Sequence, residues 1–262
     1  MTARARTLLA GLLVSALLAG VTGCAQSVDP IERLGKKAAE RVRTHAPQRP
    51  TAATYRRWGL AAPLAPAPER PDRRPAVPGA GPGLPPVVDH VPTRDKVVFL
   101  TYDDGAERDP RFIDMVRELR LPVSMFLTDS VVGPGYGHFA QLRAFGASVQ
   151  NHTLDHTSLR GLPYAGQRAE ICGQQEKLKH RFGIRPRLLR PPYGTYDTTT
   201  LRAAADCGVS AVVLGRDAGP GRLHPGDILL GPDEPDVTAT MTRLLRRIQS
   251  EGLTPARLED YL

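Results

Sequence analysis

The sequence predicts an α/β fold over residues 96–262, a mostly parallel sheet or barrel with helices outside. Two observations carry this reading. Apolar runs of strand length alternate with longer stretches of helical periodicity, and the residues able to do chemistry fall directly after the runs, where sites gather in such architectures.

Residues 97–102 form the first apolar run and suit a buried strand; a polar turn and a helical pattern at 110–119 follow. The next strand is expected at 123–127, then a helix at 139–145 and a strand at 147–150. A longer helix at 164–182 leads to a short strand at 188–189. A threonine-rich start opens the helix at 198–207, before a strand at 210–214. A strand at 228–230 and a terminal helix at 237–251 complete the alternation.

Upstream of this domain the chain reads as an export signal and a tether. Arg4 and Arg6 precede an apolar run at 8–18 that is too short for a permanent membrane span. The run ends in Val21, Thr22, Gly23 and Cys24, which resembles the box recognised by lipoprotein processing. Residues 1–24 are therefore expected to be a lipoprotein signal with Cys24 as the lipidation site, and the mature protein to be extracytoplasmic, lipid-anchored to the cell membrane. Residues 25–95 are expected to be a Pro/Ala-rich tether, with a short helix between 31 and 57. Pro63, Pro66, Pro68, Pro71, Pro75 and Pro78 oppose regular structure, although Tyr55 and Trp58 are candidates to dock on the domain.

Charge follows the same division. Residues 1–95 carry 14 Lys and Arg against 7 Asp and Glu, while 96–262 carry 21 against 20, so the net +8 belongs mostly to the tether. A near-neutral domain without a finger, helix-turn-helix or strand-aromatic pattern excludes a nucleic-acid partner.

Four regions are expected to converge on one rim. Asp103 and Asp104 end the first strand, His152 and His156 follow the third, Arg190 and Tyr193 follow the fourth, and Asp217 follows the fifth. One carboxylate and two imidazoles can hold a borderline divalent ion while leaving positions for water and substrate. A second carboxylate beside them can accept a proton.

Thr101-Tyr102-Asp103-Asp104-Gly105, His152-Thr153-Leu154-Asp155-His156 and Arg190-Pro191-Pro192-Tyr193-Gly194 resemble, in order and separation, three motifs of the polysaccharide deacetylases, carbohydrate esterase family 4. The resemblance covers residues 96–262 and implies a distorted parallel (β/α) barrel. It also implies a hydrolase that removes acetyl groups from amino-sugar polymers, with extracellular acetylated glycan as its partner and Zn2+ or a similar ion as its cofactor. It assigns Asp104, His152 and His156 to the metal, Asp103 to the general base, Arg190 to orienting that base, and Tyr193 to the oxyanion through its backbone N–H. Asp217 stands where the fourth motif has an aspartate, without the accompanying tryptophan. Gly231 stands where the fifth motif has the histidine that protonates the leaving amine.

That substitution leaves three readings open: a deacetylase, a glycan-binding protein without turnover, and an acetyl esterase whose leaving group needs less acid. His224 precedes the 228–230 strand and is expected at the wrong end of the sheet, while Asp233 lies beyond it and is a candidate replacement acid. Cys172 and Cys207 are the two cysteines left after Cys24, either a disulfide or a pair of small buried residues.

Overall fold

The computed structural model describes residues 50–104, 109–231 and 236–262. Cys24, the apolar run before it, the first third of the expected tether and Asp233 lie outside the described residues.

In chain order the elements are α1 (Ala52–Arg57), β1 (Val87–Val88), β2 (Val97–Asp103), α2 (Pro110–Leu119), β3 (Val123–Leu127), α3 (Asp129–Val132), α4 (Tyr136–Ala144) and β4 (Ser148–Asn151). They continue with α5 (Tyr164–Phe182), β5 (Leu188–Leu189), α6 (Thr198–Asp206), β6 (Ala211–Val213), β7 (Arg216–Asp217), β8 (Ile228–Leu230), α7 (Val237–Ser250) and β9 (Thr254–Pro255). Helix starts are set by local chemistry. Asp109 accepts from the Arg111 N–H with Pro110 opening α2, and Asp197 and Thr200 form a reciprocal capping box on α6.

The strands pair in parallel, in the order β1-β6-β5-β4-β3-β2-β8-β7, with β9 also on β2. β6 and β7 stand far apart in that order, yet only Leu214 and Gly215 separate them in sequence. Three residue steps span at most about 11 Å. The sheet therefore curls until its two sides nearly meet, which is the distorted parallel barrel.

Alternation along β2 sorts the core. Val97 and Phe99 face the interior with Phe126, Leu188, Ala211, Val213 and Ile228. Val98, Leu100 and Tyr102 face outward into the helix layer, against Phe112, Met115 and Met241. Each such side chain, fully buried, contributes roughly 1.5 to 3 kcal/mol. A third cluster seats α5 and α6 on the outer face of β5 and β6, through Ile171, Leu201, Leu189 and Val212. Cys172 of α5 and Cys207, which caps α6, are joined as a disulfide across that seam. The barrel base is closed by the last residues of the chain: Tyr261 packs edge-on against Phe99 at 5.0 Å and donates to Asp95 Oδ2 at 2.7 Å.

The tether does not reach Asp95 as expected, because residues 50–95 pack on the domain. Tyr55 and Leu60 are buried in the outer core, Trp58 Nε1 donates to Glu118 Oε2 at 2.8 Å, and β1 pairs with β6. The physical reason lies in what proline keeps. It loses its N–H but retains a carbonyl, and the domain supplies the donors: Gln249 Nε2 to Ala62 and Pro63, Arg246 Nε to Gly59, Thr254 Oγ1 to Ala65.

Candidate metal centre

The site is built at the C-terminal ends of the strands. On β2, Thr101 and Asp103 share the interior face with Phe99, and Asp104 follows at the turn. Asp104 Oδ1 accepts from the backbone N–H of Thr128, the first residue past β3, at 2.6 Å. Thr128 Oγ1 in turn donates to the carbonyl of His152, just past β4, at 2.7 Å. Three neighbouring strand ends are thus tied together by Thr128.

His152 and His156 lie on a loop, not a helix, and the loop is bent to present them. Thr153 and His156 have φ of 73° and 56°, a left-handed backbone that costs of order 1 kcal/mol or more for residues with a Cβ. Hydrogen bonds hold it there: Asn151 Oδ1 accepts from Thr153 N–H, and Glu170 Oε2 of α5 accepts from Leu154 and Asp155 N–H at 3.1 and 3.0 Å. One ligand atom each from Asp104, His152 and His156 lie within 4.8 Å of one another.

The electrostatics suit a cation. His152 is 3% exposed, and burial pushes its imidazole down to about 4 despite the opposing charge of Asp103. It is neutral, the form that binds metals. Its Nδ1 is 2.7 Å from the Arg190 carbonyl, so Nδ1 carries the proton and Nε2 is the atom that could hold an ion. His156 Nδ1 lies 3.3 Å from the Tyr193 hydroxyl, with the rings edge-to-face at 5.0 Å.

Asp103 is controlled by Arg190. The guanidinium donates from Nη1 to Asp103 Oδ1 at 2.6 Å and from Nη2 to Thr101 Oγ1 at 2.9 Å, and it lies over the Phe126 ring at 4.1 Å. Gly215 makes room for it, since a Cβ there would stand 3.1 Å from Nη2. The other carboxylate oxygen, Oδ2, is 3.9 Å from His152 Nε2. A carboxylate fixed by Arg190 thus stands beside three side chains that could hold an ion.

The structure brings six of the seven expected rim residues together through direct contacts. Asp217 is exposed on β7, in register with Leu230 of β8, and its side chain makes no hydrogen bond with Arg190 or Asp103. Tyr193 is at the rim, 71% exposed, with φ of 58°. Gly231 is present but faces away from the site. Strand alternation puts Ile228 and Leu230 inward and Leu229 and Gly231 outward, and a Cβ at Gly231 would stand 2.1 Å from Cε1 of buried Tyr102. Leu230 is the β8 residue nearest the groove, its Cβ 3.5 Å from where a Gly215 Cβ would stand. His224 is at the other end, its N–H bonded to Asp227 ahead of β8, as expected.

Sequence reasoning did not single out Thr101, Thr128, Phe126 or Glu170. Thr128 carried a usable signal, a hydroxyl immediately past a strand; Glu170, mid-helix, carried none.

A sequence-family profile described as polysaccharide deacetylase matches residues 90–212, ending before β7 and β8. An uncharacterized protein of Streptomyces coelicolor is 64% identical over 194 residues, 68% of this chain and 78% of that protein. A peptidoglycan-N-acetylglucosamine deacetylase of Bacillus cereus is 23% identical over 194 residues, 66% of this chain and 91% of that protein. A family 4 carbohydrate esterase from Bacillus anthracis superposes with a TM-score of 0.59 at 22% identity, covering 66% of this chain and 86% of that structure.

Proposed function

The chain belongs to the polysaccharide deacetylase family, and from that premise we propose that it is a metal-dependent hydrolase removing acetyl groups from N-acetylated amino-sugar polymers, with cell-wall glycan as substrate. The observation that carries this is the convergence of Asp104, His152 and His156 beside the Asp103–Arg190 pair. One carboxylate and two imidazoles, one of them buried and neutral, fit a borderline ion such as Zn2+. When bound, that ion supplies Lewis-acid polarisation of an acetyl carbonyl and a more acidic water.

The chain's own residues do the rest. Arg190 occupies Asp103 Oδ1, so Oδ2 is the oxygen that takes the proton of the attacking water. Thr101 and Phe126 hold the guanidinium so that Asp103 is aimed before substrate arrives. The departing nitrogen needs a proton, neither Gly231 nor Pro232 carries an ionisable group, and the candidate acid Asp233 lies outside the described residues. The protonated Asp103 returns it, one carboxyl serving both steps. A dedicated acid is worth about 10²- to 10⁴-fold, so turnover on N-acetyl groups is slow and on acetyl esters less impaired.

The test is acetate release from N-acetylglucosamine oligomers, de-N-acetylated and O-acetylated controls, and isolated peptidoglycan. We expect slow, chelator-sensitive release from N-acetylated chains, with about one divalent ion per protein and sharp loss of that ion in His152→Ala or His156→Ala. Release that persists in Asp104→Asn with full metal content would sink the assignment. Binding of glycan with no release from any substrate would favour a non-catalytic glycan-binding role, the reading supported by the lack of a side chain at Gly231 and the exposure of Asp217.

We further propose that the mature chain begins at lipidated Cys24 on the outer side of the membrane. The apolar run, the Val21-to-Cys24 box and the Cys172–Cys207 bond, which persists in oxidising compartments, support it. Intact mass of the membrane fraction checks it, and an unmodified Cys24 would count against it.

A further inference from the structure

The base of the barrel, at the opposite end of β4 from His152, carries a cavity of about 520 Å3 that the deacetylase chemistry does not use. Five arginines line it: Arg74, Arg143, Arg185, Arg187 and Arg257. They come from the proline-rich segment, the end of α4, the approach to β5 and the stretch after β9. All five are exposed. One lining side-chain carboxylate, Glu259, opposes them. In a domain of nearly balanced charge, this is a local concentration of one sign.

The arginines are not spent on Glu259. Its Oε1 accepts from Ser124, Ser148 and Gln150, and no arginine donates to its carboxylate. Arg74 and Arg257 bond to backbone carbonyls, of Glu259 and Gly146, which satisfies a donor without neutralising the charge. Among the described residues Arg143 and Arg187 make no side-chain hydrogen bond or ion pair, and of the five only Arg185 has a carboxylate partner, Glu176. Five guanidiniums held close together repel one another, and an arrangement that leaves four of them without a carboxylate is relieved by an external anion.

We propose that this cavity binds a polymer bearing repeated phosphate groups. Guanidiniums arriving from several chain segments suit a tetrahedral phosphate, whose oxygens can be approached from several sides, better than a planar carboxylate, which takes its forks in one plane. The excess of charge exceeds what one free phosphate supplies. The site is also concave, where a flat anionic membrane would meet only its rim. A strand threaded through the base would hold the protein on an anionic polymer while the opposite rim remains open to glycan.

The full-length protein is tested by equilibrium binding to long-chain inorganic polyphosphate, with orthophosphate, polyglutamate, and phosphatidylcholine vesicles containing phosphatidylglycerol as parallel arms. We expect salt-sensitive binding of polyphosphate, far weaker binding of the other three, and at least a tenfold weakening in Arg143→Glu/Arg187→Glu. The equal-charge control Arg202→Glu/Arg222→Glu, on exposed arginines outside the cavity, should weaken binding less than threefold. Circular dichroism verifies that both variants fold. Asp104→Asn should bind like the natural protein, which separates this site from the metal centre. Equal loss in both charge variants, tighter binding of polyglutamate or vesicles, or no polyphosphate binding would each overturn the proposal.

Discussion

The carbonyl oxygen of Arg190 lies 2.7 Å from Nδ1 of His152, so one residue fixes this imidazole with its main chain and Asp103 with its side chain. The two duties can be separated by mutation. In Arg190→Lys the carbonyl remains while the fork to Asp103 and Thr101 is lost. We expect metal content to stay near that of the natural protein and turnover to fall by about 10²-fold or more. Metal analysis alongside acetate release decides it; loss of the ion in parallel with activity would show that the guanidinium also shapes the ligands.

Position 231 gives a prediction opposite to the one the sequence suggests. From the resemblance, Gly231→His should restore an acid; in the fold, any side chain there meets the Tyr102 ring. Overpacking of a closed core costs about 1 to 3 kcal/mol. We expect Gly231→Ala and Gly231→His both to lower the melting temperature and neither to raise N-deacetylation. A faster Gly231→His enzyme would show that Tyr102 yields.

The disulfide ties α5 to the end of α6 across 35 residues. Opening a loop of that size costs about 3 to 4 kcal/mol in the chain-entropy treatment. Cys172→Ser/Cys207→Ser should therefore unfold at lower denaturant while keeping its metal, because no ligand lies on either helix. A loss below about 1 kcal/mol would mean that the helix packing alone holds the seam.

Asp197 predicts an acid limit. Burial alone would raise its carboxyl, but N–H groups of Gly161 and Thr200 and the side chains of Gln167 and Thr200 outweigh burial and hold it at about 2. A depressed carboxyl stabilises the fold above its unfolded value, about 4, and that contribution is lost as pH falls toward 2. Asp197→Asn should flatten the drop in stability between those values, read from denaturant midpoints at successive pH.

Much of this was legible before folding. Residues 97–103, 123–127 and 188–189 announce themselves as strands because they are buried on both faces, and the polar residues past their ends follow from parallel topology. The proline-rich segment misleads for a definite reason: its carbonyls find donors on α7 and β9, elements about 190 residues away, which no local pattern encodes. Direction at a strand end is equally hidden. Gly231 and Leu230 differ by one step, and the alternation that turns one outward depends on a register with Tyr102 and Thr101 set across the sheet. The direction of Asp217 is equally hidden, since a two-residue edge strand has little to orient it.

The pairings of β2 bear on the order of assembly. Its partners include β8 at Ile228–Leu230 and β9 at Thr254–Pro255, while Tyr261 stoppers the interior. Contacts of such wide sequence separation form late and slowly. A chain that emerges N-terminus first cannot seal its barrel until β9 and Tyr261 have followed, so closure waits on segments more than 150 residues beyond β2.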